Sequence, residues 1–450
     1  MPPHVAQDLT ARLQRFWHHH RDGFTTKTRD TSDYALHYVS ALLRLQTERN
    51  FTNIGNTCAV SNQNIQHFMS NSPWDVRFVL WKIQREIART PALQTGGVLI
   101  LDESADEKAS AKSAGAGRQY NGRMGKIEMS QVGTFLAFAH LQTSTWTWVD
   151  GELFVPENWF TAPNQAERER LGFPPERVFA TKIELGWQML QRAQADRFPF
   201  DLVACDALYG RADGFRHKLT EANLRYMAAV PVTTHVAPMA VAKEADLIWT
   251  VADLAQRPST VWERVTVRPT ERGLLTEEFA CIPVWTWRDA ACSAELLVLR
   301  RDTEGKIAYA LCNAPAATPL SQLAAWACVR YFIERANQDA KTEAGFADLR
   351  AQKWLAWEHH LALTVLACWF VAQTKLEWSQ HYPPDPALLL QLEVERLPTV
   401  SMANVRELLR AVMPLPQLTP EAASRHVMTH LFQRTRSRRS RLKTLRKPPT

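Results

Sequence analysis

The chain has 450 residues, of which 46% are hydrophobic and 22% charged. With 16 Trp, 19 Phe and 8 Tyr against only 17 Gly and 25 Pro, a disordered, collagen-like or low-complexity chain is excluded, and the length allows about three domains. The formal charge of +7 is concentrated at one end: eight basic residues (Arg434, Arg436, Arg438, Arg439, Arg441, Lys443, Arg446, Lys447) occur there without an acid, and the remainder carries −1.

A near-neutral body with a cationic arm suits a polyanionic partner, nucleic acid more often than a membrane. Seven widely spaced cysteines with no CxxC pair argue against a disulfide framework and a zinc site, and for a reducing compartment. The opening MPPHVAQDLTARLQRFW has no apolar core of the kind a signal peptide needs. The longest apolar stretch, Leu361 to Ala372, falls short of the roughly 18 residues that span a bilayer and is expected to be a buried helix. A soluble, cytoplasmic, nucleoid-associated protein with no membrane partner is expected.

In chain order, residues 1–92 are predicted to be helical. Leu36, Val39, Leu42 and Leu43 recur at helical spacing, as do Trp74, Phe78, Trp81 and Ile83 after the Ser72-Pro73 start signal. Between them, residues 51–69 predict two short helices around a turn near Ala59-Val60-Ser61. Ser61 is placed to cap a second helix rich in Asn, Gln and His, side chains that can reach base edges. A helix-turn-helix and a plain helical hairpin both fit. From Gly96 the periodicity changes: residues 97–101, 131–141, 145–155 and 201–206 predict strands, with a helix from Lys182 to Arg197. Residues 224–316 predict further strands, a β-rich insertion in an α/β body. Thr318-Pro319 starts a long helix that Gly345 can stop, and helices continue to about residue 413.

The chemistry lies in three acids. The apolar run 98–101 leads into Asp102, and 202–205 leads into Asp206. A carboxylate just past the end of a buried strand emerges at the sheet edge, where a metal or ligand can sit; a turn residue or helix cap is the alternative. In the helix ACVRYFIERANQDAKTEAG, Arg330, Glu334, Asn337, Gln338 and Lys341 fall on one face. That pattern suits a metal ligand with phosphate-binding neighbours, and equally a solvated salt-bridged face.

Two strand-end aspartates followed by a helical Glu-x6-Lys resemble the DDE transposases of bacterial insertion sequences, in particular the group named for insertion sequence seven-hundred-one within the insertion-sequence-four-like superfamily. The resemblance runs from about residue 40 to 375. It is carried by NSPWD (71–75), LDES (101–104), KSAGAGRQYNGRMGKIEMSQVG (112–133), FATKIELGWQML (179–190), VACDALYG (203–210), CNAP (312–315) and RYFIERANQDAK (330–341).

The resemblance implies an α/β fold: a ribonuclease-H-like catalytic core interrupted by a β-rich insertion, with an all-α N-terminal DNA-binding region and a helical C-terminal region ending in a basic tail. The divisions expected are 1–92 (helical, DNA-binding), 93–223 (core with both aspartates), 224–316 (insertion), 317–413 (core completion with the glutamate helix) and 414–450 (tail). Asp102, Asp206 and Glu334 become the acidic triad. They would hold two Mg2+ ions, for which Mn2+ substitutes; hard cations prefer carboxylate oxygens, and two ions about 3.5–4 Å apart serve attacking and leaving oxygens.

The resemblance further implies that water attacks first and that the freed 3′-hydroxyl then attacks target DNA. Arg330 and Lys341 match positions that hold the DNA backbone beside the metals. Tyr209 follows the second aspartate as in relatives and joins the DNA-binding set. Arg118, Arg123 and Lys126, set among glycines, either cradle phosphates or form a tight hairpin with solvated cations. One departure is Ala327, where the superfamily signature has Tyr. The expected partners are the double-stranded DNA of element ends and target, with a homodimer in the DNA complex. A silent DNA-binding regulator and a nuclease without strand transfer are the competing readings.

Other acids and histidines are expected to be bland. His18-His19-His20 and Glu358-His359-His360 should be surface or interfacial, since consecutive helical positions diverge. Asp106 and Glu107 are expected in a solvated loop. Glu103 should face away from Asp102 if the strand continues.

Overall fold

A computed structural model describes residues 3–46, 48–122, 124–239, 248–270, 273–288, 291–382, 386–391 and 400–414, with isolated positions from 421 to 439. The expected basic arm therefore lies largely outside the described residues, and so does Arg123.

Helices come first: α1 (Pro3–His20), α2 (Ser32–Arg44), α3 (Phe51–Cys58), α4 (Asn62–Asn71) and α5 (Val76–Arg89). The turn between α3 and α4 falls where the sequence places it. Ala59 closes α3 in the left-handed conformation (φ 54°), and the Ser61 hydroxyl accepts from Gln63 N to start α4. Asp75 caps α5 by accepting from Arg77 N and Phe78 N.

Strands come next: β1 (Gly97–Glu107), β2 (Gly117–Asn121), β3 (Lys126–His140) and β4 (Thr145–Phe154). Two helices, α6 (Gln165–Leu171) and α7 (Lys182–Ala195), precede β5 (Leu202–Cys205), α8 (Ala207–Gly210), α9 (Asp213–Glu221) and β6 (Tyr226–Ala229). The β-rich stretch contributes β7 (His235–Pro238), β8 (Trp249–Thr250), α10 (Val251–Ala255), β9 (Glu263–Thr270), β10 (Gly273–Arg288), β11 (Ala291–Arg301) and β12 (Ile307–Cys312). Helices α11 (Leu320–Ala327), α12 (Arg330–Gln338), α13 (Trp354–His381), α14 (Pro386–Gln391) and α15 (Met402–Val412) complete the described chain.

All twelve strands join one sheet. β3 lies antiparallel between β1 and β4, β5 runs parallel to β1, and β6 parallel to β5. The β-rich stretch extends this sheet, because β12 pairs with β6 and is followed by β11 and β10. It also has a small core of its own around Val236, Val284, Leu297 and Leu311. The main core is continuous from Val5 in α1 to Leu409 in α15.

The long helix predicted after Pro319 is broken. Cys328 N and Val329 N bond to Ala325 O and Trp326 O, three residues back, which tightens the end of α11. After α12 there is a single π turn (Asp339–Glu343). Gly345, at φ +76°, ends it, as the sequence suggests. A side chain there would collide with the guanidinium side chain of Arg49, 2.2 Å from a built Cβ. Arg49 in turn donates to Thr342 O and Glu343 O and pairs with Asp348 at 3.1 Å. The N-terminal helices thus grip the end of the glutamate-bearing segment.

α13 is longer than its apolar centre predicts. By length and composition it could cross a membrane, but 89% of its most apolar window is buried inside the protein. Its lack of a polar stripe is what a helix covered on all sides requires.

Candidate active site

Strand register creates the site. Parallel β1 and β5 pair Leu101 with Cys205, the last residue of β5. The next residue of each chain segment is an aspartate, so Asp102, within β1, and Asp206, just past β5, emerge side by side where the parallel pairing of the two strands ends. Asp206 also caps α8: its Oδ1 accepts from Leu208 N at 2.9 Å. Gly210 lets α8 settle on β6, since a built Cβ would lie 1.9 Å from Ala229 O.

Asp102 is held from two directions. Oδ1 accepts from Glu103 N at 2.9 Å, and Oδ2 accepts from Asn337 Nδ2 at 3.3 Å. Burial raises its pKa to about 7, and the neighbouring Asp206 adds to the rise while Arg330 opposes it. A group poised in this way binds a proton when no cation is present.

Glu103 corrects the sequence reading. β1 does continue to Glu107, yet the Glu103 carboxylate comes close to both aspartates, although it does not line the cleft. Asp102, Glu103 and Asp206 each bring a carboxylate oxygen within 4.8 Å of the others. Glu334 does not join this cluster. Its side chain is 64% exposed and pairs with Arg330 Nε at 3.5 Å, although both line the same cleft of about 250 Å³ as Asp102, Asp206, Trp326 and Arg300.

The expected basic positions divide. Arg330 is exposed at 59% and borders the cleft. Lys341 is not a free cation: its Nζ donates to Ser104 Oγ at 3.0 Å and Ala105 O at 2.7 Å, and pairs with Asp106 at 2.7 Å. The π turn rotates it off the face it was expected to share with Glu334, and Asp106 is its partner and not a solvated loop acid. Tyr209 is fully buried, its ring 5.7 Å from that of Phe215, and a phenol so enclosed cannot touch DNA; burial also raises its pKa well above the ordinary value.

Arg118 and Lys126 are exposed on the β2–β3 hairpin, with Lys126 paired to Glu128 at 2.9 Å. The tight turn is real: Met124 N and Gly125 N both bond to Asn121 O. Asp102 pairs with Phe135 on β3, and Lys126 lies nine positions away on that strand, roughly 30 Å along it. These cations are remote from the carboxylates.

The histidines also depart from expectation. His359 and His360 are fully buried core residues. His359 stacks on Trp74 with centroids 3.8 Å apart, and His360 lies 2.9 Å from Tyr38 OH. His19, His20 and Glu86 do converge within 4.8 Å, but the Glu86 carboxylate already accepts from Trp369 and Gln373 and pairs with His20.

A family model described as DDE superfamily endonuclease matches residues 20–268, more than half of the chain. The chain belongs to the DDE superfamily of endonucleases. Its matched stretch includes Asp102 and Asp206 and ends before Glu334. The chain is also similar to the probable transposase for insertion sequence element IS701 of Microchaete diplosiphon, 28% identical over 176 residues. That match covers 38% of this chain and 41% of that protein, so it spans less than half of either. The resemblance to DDE transposases of an insertion sequence is borne out.

Proposed function

We propose that this DDE-superfamily endonuclease is a transposase: it binds the terminal repeats of its own insertion sequence, cuts them by metal-dependent hydrolysis and joins the 3′-hydroxyl ends to target DNA. The observation that carries the reading is the register that sets Asp102 beside Asp206 where the parallel pairing of β1 and β5 ends. The order β4-β3-β1-β5-β6, antiparallel on one side of β1 and parallel on the other, supports a ribonuclease-H-like core. The long helical run before β1 supports assigning DNA binding to residues 1–92.

The donor set fits a hard divalent cation. It consists of carboxylates without thiol or imidazole, and one buried oxygen, Glu103 Oε2, has no hydrogen-bond partner. Two Mg2+ ions bound there would activate the attacking oxygen and stabilise the leaving one. Asp102 and Asp206 would hold the cations, with Glu334, which lines the same cleft, as the third carboxylate. Arg330, exposed at the border of the cleft, would meet the non-bridging oxygens of the scissile phosphate. Asn337 keeps Asp102 Oδ2 oriented while Lys341 pins the π turn after α12 to β1. Element ends must meet to be joined, which argues for a dimer on DNA, and the cationic run from Arg434 to Lys447 supplies salt-sensitive phosphate contact.

The deciding experiment is Mg2+-dependent cleavage of a plasmid carrying the gene's own flanking DNA, wild type beside Glu334→Gln. Cutting at the flanks by wild type alone is expected. Binding of the flanks by both proteins with cutting by neither would favour a DNA-binding regulator instead.

A further inference from the structure

The geometry points to Glu103 as a further metal ligand of this site, in addition to the Asp102, Asp206 and Glu334 that the family pattern supplies. The inference rests on the reading of the strand-end carboxylates as a divalent-metal site.

Three observations carry it. The first is position: β5 stops at Cys205 while β1 runs on to Glu107, so Glu103 has no strand beside it on the β5 side. One of its carboxylate oxygens lies within 4.8 Å of an oxygen of each aspartate. The second is an unfilled oxygen. Oε2 is buried and accepts no hydrogen bond, whereas Oε1 has only Lys182 Nζ at 3.4 Å, beyond the usual 2.7–3.2 Å of a good N–H···O bond. An acid whose purpose was the Lys182 ion pair would turn both oxygens to the ammonium or to solvent.

The third observation is charge. Three carboxylates meet here, and the cations within reach are few. Lys341 is already bound to Asp106, and Arg330 to Glu334. Like charges this close are costly unless a cation joins them or one takes a proton. A divalent ion removes the repulsion and gives Oε2 its missing partner. Lys182 then acts as a stand-in that partly balances Glu103 while the metal is absent.

Mn2+ binding to the full-length chain without DNA, followed by the electron paramagnetic resonance of free Mn2+, tests this directly, with wild type, E103Q, D206N and K182M compared. E103Q is expected to weaken Mn2+ about tenfold or more, as D206N does, and K182M to bind at least as tightly as wild type. The isosteric amide keeps the packing, and an unchanged melting temperature of metal-free E103Q confirms the fold. If E103Q matches wild type within twofold while D206N is weakened, Glu103 is no ligand and the site itself stands. If D206N also matches wild type, or wild type binds no Mn2+, the metal reading of the cluster fails and the inference falls with it. Equal weakening in E103Q and K182M would show that only the ion pair matters, and would overturn the proposal.

Discussion

Asn337 donates from Nδ2 to Oδ2 of Asp102 across 3.3 Å, although 235 residues separate them in the chain. The amide is itself fixed, because Trp148 Nε1 donates to Asn337 Oδ1 at 2.9 Å. That second bond settles which end of the amide faces the aspartate. Trp148 is buried against Phe135, the β3 residue opposite Asp102, so the chain of bonds ends in rigid core. Groups that orient a metal-binding carboxylate in this way typically change affinity or rate by about 10–100-fold when lost.

Asn337→Ala is therefore expected to slow Mg2+-dependent cleavage by about one to two orders of magnitude. Trp148→Phe removes the indole N–H together with some buried ring volume but leaves Asn337 itself in place, so its effect on cleavage should be smaller and in the same direction. Cleavage by Asn337→Ala at the wild-type rate would show that Asp102 needs no support from α12.

Asp206→Asn separates chemistry from folding. Asn caps a helix about as well as Asp, so the bond from Leu208 N survives and the melting temperature should stay close to wild type. The anionic oxygen is gone, and cleavage should be abolished while DNA binding measured by gel shift is nearly unchanged. Residual cleavage near the wild-type level would remove Asp206 from the site.

Metal binding should depend on pH through Asp102. Its pKa, raised to about 7 by burial and by Asp206, means that below pH 7 a proton competes with the cation. Mn2+ affinity is expected to fall about tenfold for each pH unit below 7 and to level off above it. The sign for stability is opposite. A carboxyl whose folded pKa exceeds its unfolded one favours the metal-free fold most below the unfolded value near 3.8, and this contribution is lost as pH rises through about 7. Mn2+ should thus raise the melting temperature more at pH 8 than at pH 5.5; equal shifts would contradict the assignment.

The aspartates are legible in the sequence because each comes directly after an apolar run, and the register of two adjacent parallel strands brings the residues just past their paired runs together. Ser61, Ala59 and Gly345 are legible for a similar reason, since caps and left-handed residues act locally. Glu103 is not. Alternation along a strand predicts opposite faces, but it says nothing of where the neighbouring strand stops. Lys341 is displaced from its expected face because 3.6-residue periodicity assumes an unbroken α-helix, and a π turn at residues 339–343 resets the face. Tyr209 occupies a motif position, yet only packing reveals that its ring is enclosed. His359 and His360 diverge as helical neighbours should, but a helix buried on every side sends both directions into core.

Those two histidines give the fold a weakness to acid. Burial lowers His359 to about 3 and His360 to about 4, against an unfolded value near 6.5. Each is neutral in the folded protein and takes a proton readily only when unfolded. The stability they contribute is complete above about pH 6.5 and declines as pH falls toward the folded values. For His360 the difference amounts to roughly 3 kcal/mol by pH 4, at about 1.4 kcal/mol per unit. The neutral ring can accept from Tyr38 OH through Nδ1 and donate to Phe346 O through Nε2, and glutamine at this position offers the same pair of roles without titrating. His360→Gln is expected to cost some stability at pH 7.5 and to flatten the decline between pH 6.5 and 4.5, measured as the midpoint of urea unfolding. A decline as steep as in wild type would mean that carboxylates, and not these buried rings, govern acid unfolding.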